Sequence, residues 1–347
     1  MNDERWVWVP FEVDKKFDGY RIDRFLAQRL TGYSRSKVQS ILSEARVLKK
    51  GRTAKANSKV CTGDKIQIAY LRRPEKALAS DASIPILFED DDLIIVNKPA
   101  DLLSHPTDKI VDNTVLGILR YSRPDLPKLH LLHRLDRETS GVIALAKNVK
   151  AARAWTRHME AHRIHKEYVA IVHGLVSPAE GIIDMPIGRQ GGEIRVRQWV
   201  NVPGAVPAVT KYTVISYVPS PLVGEGVGWG GHRRAFDPPP QSSPTRGEDV
   251  CSIVRVFPET GRLHQIRVHF AAIGHPLLGD PLYTGEGEIY REMVKGKATE
   301  ADRASLGFPR VALHAAALTF PHPVSKSELR IEAPLPEDME SLIRRNF

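Results

Sequence analysis

The 347-residue chain is long enough for more than one hydrophobic core, and its 42% hydrophobic and 26% charged residues exclude a fibrous or disordered polymer. No apolar run is long enough to cross a bilayer, the opening MNDERWVWVPFEVD lacks the basic-then-apolar order of a signal peptide, and the two cysteines, Cys61 and Cys251, have no metal-type spacing, so a reduced cytoplasmic protein is expected. The net charge of +9 is unevenly spread: residues 1–83 carry 18 Lys and Arg against 10 Asp and Glu, whereas 84–347 carry 32 against 31.

A basic excess concentrated in the first quarter points to a polyanion partner, usually nucleic acid, or else to a solvated face that aids solubility. Within that quarter, RIDRFLAQRL places Ile22, Phe25, Leu26 and Leu30 on one helical face, ended by Gly32. Ser34 is placed to cap a second helix, SRSKVQSILSEARV, with Val38, Ile41 and Leu42 as its apolar face and Arg35 and Lys37 in its first turn. TGDKIQIAY reads as a turn and an alternating strand. The polar, proline-containing stretch 71–83 reads as a linker between a small first domain (1–70, including an N-terminal extension) and a larger second one (84–347).

From Ile84 short apolar runs recur between turns: IPILFEDDDLIIVNKPA, GVIALAKN, EYVAIVHG, VTKYTVISYV, VCSIVRVFPETG, ALHAAALTF and SELRIEAPLP. Two helical segments interrupt them. AARAWTRHMEAHRI sets Trp155, Met159 and His162 at helical spacing, and LHQIRVHFAAIG aligns Leu263, Ile266, Phe270 and Ile273. Many strands with few helices predict an α+β domain with a mixed, mostly antiparallel sheet. Residues 219–249 are rich in Pro, Gly and Ser, and their ends, PLVGEG and SPTRGE, resemble translated palindromic repeat DNA. This segment is read as an exposed insertion; an RNA-contacting flap carrying Arg233, Arg234 and Arg246 is the functional alternative.

The stretch LHLLHRLDRETSGVIALAKN concentrates the chemistry, with Asp136 between Arg134 and Arg137 just before a turn and an apolar strand. Asp136 could be one half of a structural ion pair. It could ligate a metal with His130 and His133, although two flanking arginines disfavour a dication. It could also be a nucleophile, in which case burial would oppose its charge and a nearby arginine must offset that cost. ETGRLHQIRVH offers Arg262 and Arg267 for this purpose, and Tyr168 opens another apolar strand as an aromatic acid–base or stacking partner.

HRLDRETSGVIALAKN resembles the catalytic motif of RluA-type pseudouridine synthases. TGRLHQIRVHFAAIGHPLLGDPLY, IHKEYVAIVHG and LIIVNKPADLLSHP are similar to that family's other motifs, and 21–68 resembles the S4 RNA-binding domain. Leu263 departs from the family's usual Thr or Ser, and VLKKG lacks its usual asparagine before the glycine. The resemblance implies a pseudouridine synthase fold after a small S4-like α/β domain, and isomerisation of RNA uridine by breaking N1–C1′ and forming C5–C1′. It implies that Asp136 is the essential aspartate, attacking ribose or base or promoting elimination at the sugar. Arg267 would pair with it, and Tyr168 would stack on the base and help to move the C5 proton. The resemblance further implies a redox-neutral reaction that needs no metal and no organic cofactor. Arg134, planar and cationic, is suited to fill the space of a flipped uridine. Arg35 and Lys37 would grip phosphate at a helix start.

The expected substrate is large-subunit ribosomal RNA, with tRNA uridine as the alternative, and the expected state is a monomer with no membrane contact. A non-catalytic RNA-binding or ribosome-assembly protein would not need Asp136, Tyr168 and Arg267 together. A glycoside hydrolase would need a second carboxylate across the bond, for which only Glu138 is evident nearby.

Overall fold

The alternating stretch Lys65–Arg72 becomes the inner strand of a four-stranded antiparallel sheet, with Ile66 and Ile68 fully buried. It pairs with Arg5–Glu12 on one side and Val47–Lys49 on the other, beyond which lies Arg52–Thr53. The computed structural model describes residues 5–29, 35–44, 46–72, 83–106, 112–126, 128–222 and 250–344. Gly32, Ser34, Leu30, residues 73–82 of the expected linker and 223–249 of the expected insertion lie outside them.

The described residues divide into two units, 5–72 and 83–344. In the first, helices Ile22–Arg29 and Arg35–Ser43 contribute Ile22, Phe25, Leu26, Val38, Ile41 and Leu42 to one core with Val47, Ile66 and Ile68. The N-terminal stretch, read from sequence only as an extension, pairs with Lys65–Arg72 over eight successive positions. Its alternation is interrupted by Pro10, which suits an edge strand.

The second unit is built on a ten-stranded mixed sheet. Its main path runs Glu180–Asp184, Val209–Pro219, Val250–Pro258, His165–His173, Leu313–Pro321, Ser140–Ala146, Leu93–Lys98 and Ile86–Glu89. Glu328–Glu332 and His130–Leu131 pair at its sides. Among the described residues, the pairing of Leu313–Pro321 with Ser140–Ala146 is the parallel one; the other pairs are antiparallel. Ser140–Ala146 is buried along its whole length, so both faces of the sheet are covered there. Gly141 permits the parallel pairing: its φ is +112°, and a Cβ would come within 2.2 Å of the Ala315 carbonyl oxygen.

Two helical faces differ from their sequence reading. The first helix is Val149–Glu160, capped by the Asn148 side chain on the Ala151 amide, and its inward residues are Ala151, Ala154 and Trp155. Met159 is 40% exposed and His162 lies beyond the helix at φ +53°, so neither continues the Trp155 stripe. The second helix, Gln265–Ala272, starts after Leu263 and ends before Ile273, and Gln265 to Phe270 are buried in succession. It has no single apolar stripe because its residues from Gln265 to Phe270 are all enclosed, polar ones included. Helix Val115–Ser122, capped by the Thr114 side chain on the Gly117 amide, was not read from sequence.

Candidate active site

Asp136 lies in the 132–139 connection between the antiparallel strands His130–Leu131 and Ser140–Ala146. Loops are usually mobile, but this one is tied at successive residues. The buried Ser104 hydroxyl donates to the Leu135 carbonyl at 2.7 Å and accepts from the Leu135 amide at 3.1 Å. The Lys98 ammonium, fully buried, donates to the carbonyls of Pro99, Leu102 and Arg137 at 2.8, 2.7 and 3.0 Å. Thr139 donates its amide to the Asp136 carbonyl at 3.2 Å, and Ser140 Oγ lies 2.9 Å from His314 Nδ1. The backbone on both sides of Asp136 is therefore fixed by buried partners.

Lys98 carries a cost for this task. Burial pushes its ammonium down to about 7, against the opposing pull of Glu138, Asp101 and Asp136. A lysine whose folded pKa lies below its unfolded value binds fewer protons when folded, so its contribution to stability rises with pH between the two values. Wild type should therefore gain on Lys98→Met by up to about 1.4 kcal/mol per pH unit above pH 7. Denaturant unfolding of both proteins from pH 6 to 9 measures this, and a constant difference would show that Lys98 titrates normally.

The cation opposite Asp136 comes from helix Gln265–Ala272. Arg267 is 5% exposed, and its Nη1 lies 3.4 Å from Asp136 Oδ2. Its stronger partner is Asp280, fully buried, whose carboxylate accepts from Nε at 2.6 Å and from Nη2 at 2.8 Å. Asp280 Oδ1 also accepts the amides of Leu282 and Tyr283. Burial works against the Arg267 charge, but Asp280 and then Asp136 more than offset it and hold the guanidinium above its usual range. Gly279 makes this turn possible, because at φ +72° a Cβ would overlap the Arg310 carbonyl oxygen. The Tyr283 ring lies 5.3 Å from the guanidinium.

A cleft of about 530 Å³ opens over these groups, lined among others by Asp136, Tyr168, Arg267, His264, Arg134 and Lys166. Tyr168 sits on strand His165–His173 and is buried; burial first and the Asp136 charge second push its phenol above its usual range, so it stays protonated. Arg134 is exposed at the cleft. Arg189 and Arg262 also line it, so the rim is cationic while Asp136 is the one carboxylate among the described lining residues. That leaves the glycosidase reading without a second acid in the cleft, because Asp280 is engaged by Arg267 and buried. Nor does the three-residue spacing of His130, His133 and Asp136 make a metal cluster among the described residues. His133 instead stacks on Trp155 and accepts the Ala144 amide at Nε2.

Residues 92–272 match the RNA pseudouridylate synthase family. Ribosomal large subunit pseudouridine synthase D of Vibrio parahaemolyticus is 35% identical over 329 residues, which cover 93% of this chain and 90% of that protein. The chain belongs to the RNA pseudouridylate synthase family. The protein of the same name from Escherichia coli is 35% identical over 343 residues, 97% of this chain and 94% of that one. Among solved structures, Human RNA Pseudouridylate Synthase Domain Containing 4 superposes with a TM-score of 0.52 at 26% identity, covering 75% of this chain and 92% of its own. This protein is thus an isomerase acting on RNA.

Of the six residues singled out from sequence, Asp136, Tyr168, Arg267 and Arg134 meet at this pseudouridine synthase cleft. Arg35 and Lys37 lie in helix Arg35–Ser43 of the first unit. Lys98, His264, Asp280 and Tyr283 were not singled out. Each stands inside a motif quoted above, but nothing in its spacing says that it is buried against Asp136, its loop or the Arg267 and His264 side chains.

Proposed function

We propose that this protein converts specific uridines of large-subunit ribosomal RNA to pseudouridine, with Asp136 as the essential carboxylate. The observation that carries the assignment is Asp136, the one carboxylate among the described lining residues of the cleft, set beside a buried arginine on a loop tied at both neighbouring residues. Whether Asp136 attacks ribose or base or promotes elimination at the sugar, it must act ionised, and Arg267 supplies a positive charge at 3.4 Å without leaving its own partner Asp280.

Tyr168, as a protonated phenol, is suited to stack on the uracil; it can relay a proton at C5 but not accept one outright. Arg134 at the exposed edge is placed to fill the gap left by a flipped nucleotide, which costs a few kcal/mol to unstack. The first unit acts in this reading as an S4-like phosphate grip, with Arg35 and Lys37 at a helix start as its leading contacts. Ribosomal RNA is chosen over tRNA because the relatives similar along nearly the whole chain are named for the large ribosomal subunit. The enzyme is read as a cytoplasmic monomer whose redox-neutral reaction needs no metal or organic cofactor. No helix among the described residues is long and apolar enough to cross a membrane.

Chemical mapping of pseudouridine in total RNA from cells lacking the gene, with and without the wild-type gene restored, tests the substrate. Loss and recovery at specific large-subunit uridines is expected. Sites confined to tRNA would overturn the substrate while leaving the chemistry. No change in cells, together with no product from purified protein on either RNA, would overturn the activity.

A further inference from the structure

Two nitrogen donors approach the Asp136 carboxylate among the described residues, and both approach the same oxygen. Arg267 Nη1 lies 3.4 Å and His264 Nε2 3.9 Å from Oδ2. His264 stands at the start of helix Gln265–Ala272 in the left-handed region, φ +56°, a backbone state that persists in a non-glycine residue only where surroundings impose it. Its side chain is 13% exposed, and its ring meets Tyr283 edge-on.

The hydrogen bonds around the ring favour one tautomer. His264 Nδ1 lies 3.1 Å from Tyr283 Oη, and that oxygen accepts the Gln198 amide at 2.9 Å. The hydroxyl's own proton is then available to Nδ1. Burial foremost, and then the Arg267 charge, lower His264 to about 4, although Asp136 and Asp280 pull the other way and Arg134 adds to the lowering. A neutral imidazole that accepts at Nδ1 carries its one proton on Nε2, the nitrogen facing Asp136.

We propose that His264 is a positioning residue for the isomerisation: its Nε2–H, set in that tautomer by Tyr283 and Gln198, secures Asp136 Oδ2 together with Arg267 and leaves Oδ1 for the uridine. The inference rests on Asp136 being the reactive carboxylate. At 3.9 Å the pair stands outside hydrogen-bond length, and a small carboxylate rotation when RNA binds closes it. A neutral donor suits the task. An imidazolium would repel Arg267 and draw charge away from the carboxylate whose Oδ1 must react.

The test is imidazole nitrogen NMR of the full-length protein labelled with ¹⁵N-histidine at pH 7, with His264 assigned by the signals lost in His264→Gln. The expected spectrum has the proton on Nε2, and Tyr283→Phe should move it towards a tautomer mixture. In single-turnover and steady-state assays, His264→Gln, whose amide reaches the place of Nε2–H, should keep kcat within about threefold, whereas His264→Leu should lose at least about tenfold in kcat with KM little changed. Gln and Leu are similarly disfavoured at positive φ, so backbone strain cancels between them. A wild-type proton on Nδ1, or equal kcat in the two variants, would overturn the role given to His264. Full activity of Asp136→Asn would instead overturn the assignment beneath it.

Discussion

Replacing Asp136 by asparagine should lower kcat by at least about 10⁴-fold, the scale of losing a reacting side chain in other covalent catalysts. The amide keeps the size and much of the polarity of the carboxylate but cannot supply its charge. Folding should be nearly unaffected. Asp136 is 21% exposed, its contacts are long, and Arg267 keeps its two short bonds to Asp280 when Asp136 is neutralised. A change below about 1 kcal/mol in unfolding free energy is expected, as for other partly exposed pairs. RNA affinity should hold or rise slightly, since a negative charge is removed from a cleft rimmed by Arg134, Arg189 and Arg262. Product formation on ribosomal RNA transcripts, with filter binding of the same RNA, measures both. A variant retaining a tenth of wild-type activity would sink the assignment.

Arg267→Met should do the opposite to folding. It leaves Asp280 fully buried with its two guanidinium bonds gone and only backbone amides as donors. Breaking a buried pair from one side costs about 3–5 kcal/mol, and the loss should appear as a lower midpoint in denaturant. Activity should fall as well, because Asp136 Oδ2 loses its cation at 3.4 Å. Adding Asp280→Asn removes the stranded charge. The double variant should recover much of the stability and none of the activity, a separation that a purely structural Arg267 would not produce. Equal stability of wild type and Arg267→Met would show that the Arg267–Asp280 fork contributes little.

Much of the second unit was legible because strands announce themselves locally. Leu93–Lys98 and Ser140–Ala146 are short apolar runs between turns, and both are buried as such runs require. The first-unit helices likewise carry their core residues at helical spacing, and the structure buries Ile22, Phe25, Leu26, Val38, Ile41 and Leu42. The two misread faces have different causes. Met159 lies within helix Val149–Glu160 but on its exposed side, and His162 lies past the helix end at positive φ. In the other helix Gln265 to Phe270 are buried in succession, so no period marks a face there.

What the sequence by itself determined is the class of the protein, and it singled out Asp136 as the candidate reactive group. A long ordered motif around Asp136 is matched by distant motifs holding Tyr168 and Arg267. What only the tertiary structure decided is which charges meet. Arg267 was expected to belong to Asp136, yet its short bonds go to Asp280, and the Asp136 loop is held by Lys98 and Ser104. Asp280, Lys98 and Ser104 lie 13, 39 and 31 positions along the chain from Arg267, Arg137 and Leu135, the residues they hold. Electrostatic strength depends on distance and burial, which follow from the sheet and helix packing and not from proximity in sequence.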